Sequence, residues 1–134
     1  MSQRYMLDAN IVSHALKGHA AVTRRLVETP MSALCISAIT EGELRFGLSK
    51  RPGANRLKSL VEAFLIRVDV LPWTSRTAGQ YGPLRAALAL QGKTLGPLDT
   101  LIAAHAREAG AVLVTNDKAF AEIEGLPLED WTLA

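Results

Sequence analysis

The chain has 134 residues, 49% of them apolar and 21% charged, the size and composition of one globular domain with no room for two. Aromatic residues are only 5% and the net charge is +2, which argues against a single-strand surface built on successive stacked rings and permits a nucleic-acid partner without demanding one. A lone cysteine, Cys35, excludes an internal disulfide and fits a reducing, cytosolic compartment; the start, MSQRYMLDAN, lacks the pattern of a signal peptide, and no apolar run approaches the ~20 residues of a membrane span.

In chain order, short strand-like runs alternate with longer helix-like stretches. Arg4 to Leu7 predicts a strand, Ile11 to Lys17 a helix closed by Gly18, and Ala20 to Glu28 a helix that stops before Pro30. Leu34 to Ser37 predicts a second strand, in which Cys35 reads as a small buried hydrophobe rather than a nucleophile. Helices follow at Ile39 to Leu48 and Ala54 to Ile66, separated by the break Lys50-Arg51-Pro52-Gly53. Val68 to Leu71 predicts a third strand. Ser75 to Gln91 is mostly helical, with Gly79, Gly82 and Pro83 predicting a kink, or a restart with Pro83 in the first turn. Leu98, Leu101, Ile102 and Ala106 mark the clearest helix, Leu98 to Glu108, which Gly110 ends. Ala111 to Val114 predicts a buried strand, Lys118 to Ile123 a short helix and Leu126 to Trp131 an edge strand. Strands separated by helices imply an α/β fold: a single domain over 1–134 with a mainly parallel sheet covered on both faces. Functional sites in such sheets gather beyond the carboxyl ends of the strands.

Carboxylates occupy that edge. Asp8 follows the first strand, Glu43 lies one to two turns beyond the second, Asp99 opens the helix leading into the fourth, and Asp117 follows the fourth. Each has a structural explanation when taken alone. Asp8 fits an N-cap or Asx-turn, Thr40-Glu41-Gly42-Glu43 a capping box, Asp99 a helix-dipole partner after Pro97, and Thr115-Asn116-Asp117 a turn and cap. Their conjunction at one edge is what points to function. Clustered carboxylates repel unless a cation offsets them, and Mg²⁺ suits a site of hard oxygen ligands completed by water and substrate phosphate. The corresponding chemistry is metal-assisted phosphodiester hydrolysis.

The wording of these segments resembles the PIN-domain toxins of the VapC type. Met6-Leu7-Asp8-Ala9-Asn10 is similar to that family's opening strand and Asp-x-Asn. Ile36 to Gly47, with Glu43-Leu44 and the following Gly47, is similar to its second block. Gly96-Pro97-Leu98-Asp99 with Ile102 to Ala106 is similar to the third, and Val114-Thr115-Asn116-Asp117 with Phe120 to the fourth. The resemblance runs in order over nearly the whole chain. It implies a three-layer α/β/α PIN-like sandwich with a short central sheet, and a Mg²⁺- or Mn²⁺-dependent endoribonuclease that inhibits translation and growth. It implies Asp8 and Asp99 as direct ligands, Glu43 and Asp117 as ligands directly or through water, and Thr115, Asn10 and Asn116 as supporting groups. It also implies a homodimer and a VapB-type antitoxin that alone touches operator DNA. Ala9 stands where many relatives have Thr, and Asn116 beside Asp117 leaves open which side chain faces inward.

The remaining polar residues carry less. His14, His19 and His105 lack metal-ligand spacing, and His105 reads as a packing or surface residue. Lys17, Arg24, Arg25, Arg45, Arg51 and Lys58 are candidate RNA contacts, with Arg45 favoured because it lies close to Glu43. Two other readings compete: a catalytically silent module that only engages an antitoxin, and a receiver-like signalling domain. The second fits poorly, because Asp8 stands alone and Asp69 lies inside the third strand rather than at its end.

Overall fold

Successive residues of a strand point to opposite faces of the sheet, and in this chain the two faces carry separate cores. The computed structural model describes residues 3–134. Its strands are β1 (Tyr5–Leu7), β2 (Leu34–Ser37), β3 (Asp69–Leu71), β4 (Val112–Val114) and β5 (Leu128–Glu129), and its helices are α1 (Ala9–Leu16), α2 (Ala20–Glu28), α3 (Ala38–Ser49), α4 (Asn55–Arg67), α5 (Ser75–Leu90) and α6 (Pro97–Ala109). Met6, Cys35 and Leu113 pack with Leu84, Leu88, Ile102, Ala103 and Ala106 of α5 and α6. Leu7, Ile36 and Val114 pack with Ile11, Val12, Val22 and Val61 of α1, α2 and α4, together with Trp131. The outcome is the expected three-layer α/β/α arrangement.

The five strands lie in the order β3-β2-β1-β4-β5 and every pairing is parallel. The chain therefore steps outward from β1 to β2 to β3, then returns through α5 and α6 to place β4 on the other side of β1. That reversal is the topological switch point, where a parallel sheet leaves a crevice between diverging loops. Among the described residues, no helix is long and apolar enough to cross a membrane.

Several predicted boundaries shift for identifiable reasons. α1 starts at Ala9, two residues early, because Asp8 caps it. The predicted edge strand shrinks to Leu128–Glu129, while Leu126 and Trp131 on either side turn into the core. The Lys118 to Ile123 segment is a 3₁₀ turn, Lys118–Glu122. α5 runs unbroken through Gly79, Gly82 and Pro83, with no restart. All three residues are exposed, so water can serve the Gly79 carbonyl that loses its donor at Pro83. Asp69 sits at the amino edge of the sheet and pairs with Arg4 at 2.7 Å, which removes it from the carboxyl edge and with it the receiver-like arrangement.

Candidate active site

Asp8 leaves β1 into the switch-point crevice. Its carboxylate accepts the Ile11 N–H at 2.9 Å and so caps α1, and it receives a hydrogen bond from the Thr115 hydroxyl. The Thr115 oxygen in turn accepts the Asp117 N–H at 3.0 Å. One threonine after β4 thus ties the two strand-end acids together. Asp117 caps the following 3₁₀ turn through the Ala119 N–H at 2.9 Å.

Glu43 and Asp99 arrive on helices. The expected capping box at Thr40 to Glu43 does not form. Ser37 accepts the Ile39 N–H at 3.1 Å and starts α3 one turn earlier, which leaves Glu43 in the second turn with no capping duty. Asp99 lies in the first turn of α6 behind Pro97. Its carboxylate folds back toward Gly96, where a β-carbon would meet Oδ2 at 3.2 Å, so glycine leaves room for it.

These carboxylates sense one another. Burial is the main cause that raises the Asp8 pKa, with further upward pushes from Asp99 and Asp117 and opposing hydrogen bonds from Thr115 and Ile11. Glu43 is raised by burial, then by Asp99 and Asp8. Asp99 is raised by burial, then by Asp117. The structure therefore brings Asp8, Glu43, Asp99 and Asp117 near one another, with Asp8 and Asp99 linking Glu43 on one side to Asp117 on the other.

A family model described as the PIN domain matches residues 5–126. The chain belongs to the PIN-domain family. It is 38% identical over 130 residues to the tRNA(fMet)-specific endonuclease VapC of Shigella flexneri, covering 96% of this chain and 98% of that one. It is 35% identical over 129 residues to Ribonuclease VapC2 of Haemophilus influenzae, with the same coverage. Among solved structures, the DNA-bound VapBC of Salmonella typhimurium superposes with a TM-score of 0.90 at 36% identity, covering 97% of this chain and 99% of that one. VapBC2 of Rickettsia felis, bound to a promoter DNA fragment, gives 0.88 at 34% identity, covering 96% and 99%.

Within this PIN domain, the residues around the acids sort unevenly. Asp117 is the side chain of its pair whose charge reaches Asp8 and Asp99. Asn116 is exposed and its amide lies 3.5 Å from His14 Nε2. Asn10 is exposed on the first turn of α1 and lines the same cavity as Glu43. Arg45 does not reach the acids: it is two residues from Glu43, about 200° around the helix, and its guanidinium pairs with Glu41 at 2.9 Å and Glu62 at 3.7 Å. Arg25 is likewise engaged, by Glu129 at 2.7 Å, and Lys58 lines a separate cleft with Arg45. Lys17 and Arg51 do line the Glu43 cavity.

Sequence reasoning missed a buried polar pair behind the site. His105 Nδ1 and Ser37 Oγ lie 2.7 Å apart, joining α6, which carries Asp99, to the cap of α3, which carries Glu43. Burial lowers the His105 pKa, against upward pushes from Glu108 and the Pro72 carbonyl. Burial thus favours the neutral ring, and with the ring N–H given to the Pro72 carbonyl, Nδ1 is left to accept from the Ser37 hydroxyl. A serine between an apolar run and a helical one was the available signal for the cap; nothing in the sequence announced its histidine.

Among the described residues, no three His, Cys, Asp or Glu side chains converge into a ready-made ligand cage. The oxygens are nonetheless all hard donors, and the Thr40 hydroxyl, one turn before Glu43, is fully buried without a protein partner. An ion that binds through one or two carboxylates and keeps several waters fits this arrangement; an ion that demands a dry protein cage does not.

Proposed function

We propose that this PIN-domain protein is a metal-dependent endoribonuclease and the toxin of a type II toxin–antitoxin pair. The observation that carries the reading is the clustering of Asp8, Glu43, Asp99 and Asp117 at the β1/β4 switch point. Full-length similarity to proteins named as VapC ribonucleases supports RNA as the substrate.

The α1 N-terminus and Thr115 fix Asp8, and Thr115 sets Asp117 relative to it. Gly96 leaves space for the Asp99 carboxylate, and the Ser37–His105 pair sets α3 against α6. Mg²⁺ or Mn²⁺ held by Asp8 and Asp99, with Glu43 and Asp117 directly or through water, would offset charge on the phosphoryl oxygens and favour deprotonation of water. Water attacks phosphorus in line, the ribose 3′ oxygen leaves, and the products are a 5′-phosphate and a 3′-hydroxyl. Glu43, whose pKa is raised first by burial and then by Asp99 and Asp8, is suited to take the proton that water releases.

The solved VapBC neighbours extend the reading to partners. A VapB-type antitoxin would cover the acidic site and carry the contact to operator DNA, with this chain as a homodimer within the complex. An RNA substrate places the work in the cytoplasm.

The test is cleavage of total RNA by the purified, antitoxin-free chain with Mg²⁺ or Mn²⁺, then with EDTA, beside Asp8→Asn and Asp99→Asn. Discrete fragments that disappear with chelation and fall at least about 100-fold in either variant are expected for an electrostatic site of this kind. Folded protein that cuts no RNA in either metal would leave the silent binding module as the function.

A further inference from the structure

We infer that Phe46 is a nucleobase platform beside the acidic site, stacking an unpaired base adjacent to the phosphate that is cut. The inference rests on the nuclease reading above and adds to it the recognition of the flanking nucleotide.

Large apolar side chains on a surface are ordinary when scattered singly. Phe46 and Leu98 are not scattered. Phe46 is 63% exposed and Leu98 46% exposed. Phe46 follows Glu43 by three positions on α3, and Leu98 directly precedes Asp99 on α6, so each flanks a site carboxylate. Both line one cavity of about 410 Å³ that also contains Glu43, a volume within the range of small-ligand sites. Residues three apart on a helix are neighbours on its surface. A phosphate held at the carboxylates therefore brings its adjoining base to Phe46.

The rim of the cavity has the charge that a strand of RNA needs. Lys17, Lys50 and Arg51 line it, and among the described residues none of the three takes part in an ion pair. The Lys50 ammonium lies 4.7 Å from the Phe46 ring centroid, over its face, so a cation and an exposed aromatic ring sit side by side. The Glu43 carboxylate of the acidic site, apolar side chains in the wall and free cations at the rim match a nucleotide whose base branches from the ribose between the phosphate that is cut and the next one. Ring stacking tolerates any base and is strong enough to be read in kinetics.

The test uses a 5′-labelled RNA hairpin carrying a cut site mapped on total RNA, together with versions made abasic on either side of that cut. Phe46→Ala is expected to lower kcat/KM about 5- to 100-fold, with Phe46→Leu equally impaired. Phe46→Tyr and Phe46→Trp should stay within about threefold of the parent protein, because a ring remains to stack. One abasic position should impair the parent as much as Phe46→Ala does, and should impair Phe46→Ala no further. Lys17→Ala, Lys50→Ala and Arg51→Ala should each flatten the dependence of log(kcat/KM) on log salt by about 0.7. Because the ring is 63% exposed, its removal should leave the fold intact, and an unchanged Tm for Phe46→Ala checks this.

The proposal is overturned if Phe46→Leu cleaves like the parent, or if the abasic and Phe46→Ala losses multiply. It is also overturned if Phe46→Ala changes only the oligomeric state in solution and leaves cleavage intact, which would make the patch a contact between copies. A parent protein that cuts no RNA refutes the nuclease reading itself. A parent that cuts, is silenced by Asp99→Asn and is indifferent to Phe46→Ala refutes only the stacking platform.

Discussion

Asp8 caps a helix and charges the site with the same carboxylate, so substitutions can separate the two duties. Asparagine caps as well as aspartate and carries no charge for burial and the neighbouring acids to disfavour, so Asp8→Asn should be at least as stable as the parent while losing cleavage. Asp8→Ala should lose cleavage and also about 1 kcal/mol of stability, the ordinary cost of a missing cap; denaturant unfolding distinguishes the two. Asp99 caps no helix, and its folded-state pKa, like that of Asp8, is raised by burial and then by a neighbouring acid, Asp117. The folded protein binds that proton more tightly than the unfolded chain, so the ionised form is a stability cost that fades as pH falls through the raised value. Asp99→Asn should raise Tm near pH 7 by a few degrees, in line with the ~0.5–2 kcal/mol gained when functional strain is removed. The gain should shrink toward pH 4. Asp8 and Asp117 were legible because they follow strand ends and Asp99 because it opens a helix, whereas Glu43, in the second turn of α3, was set apart only by its place in a family-like block. Arg45 was misjudged because closeness in sequence is not closeness on a helix: two positions put Arg45 beside Glu41 and Glu62 instead of Glu43's neighbours.

The elements were legible from hydrophobic period and breakers, but their mutual fastening was not. Ser37 and His105 are 68 positions apart, and only the folded sheet brings the end of β2 against α6. Ser37→Ala should cost about 1–3 kcal/mol, because it leaves a buried imidazole nitrogen without its donor, and it also removes the cap of α3. The same pair gives the fold an acid weakness. The His105 pKa is lowered in the folded state, so its contribution is complete above pH 6.5, the ordinary histidine value, and is lost as pH falls through the lower folded value. His105→Gln should flatten the fall in stability on acidification from that side, as followed by unfolding at a series of pH values. α5 shows the opposite limit of sequence reading. Pro83 argued for an interruption, yet the neighbouring turns of α6 hold the helix together through Leu84 and Leu88, and tertiary packing outweighs the lost backbone hydrogen bond.

At the scale of the molecule, the fold class followed from alternating elements, whereas the strand order did not. Parallel pairing is decided by long-range burial on both faces, which no local window contains. The order β3-β2-β1-β4-β5 puts β1 in the centre and assembles the site on its carboxyl end. Gathering like charges there predicts a response to cations: Mg²⁺ should raise Tm with concentration, as any ligand of the folded state does. The rise should be smaller in Asp99→Asn, and differential scanning fluorimetry across a Mg²⁺ series reads it directly. A parent protein insensitive to Mg²⁺ and Mn²⁺ would remove the metal from the mechanism.

The Thr115 bridge has a consequence for synthesis. Asp8 is synthesised before any of the six helices, but its hydrogen-bond donor Thr115 and its companion Asp117 follow only after all of them. Until β4 is made, one side of β1 has no neighbour and the acidic site lacks its far wall. A nascent chain that has not yet paired β4 therefore lacks both the Thr115 donor and the Asp117 charge, and its acidic site stays incomplete however well the preceding helices have formed.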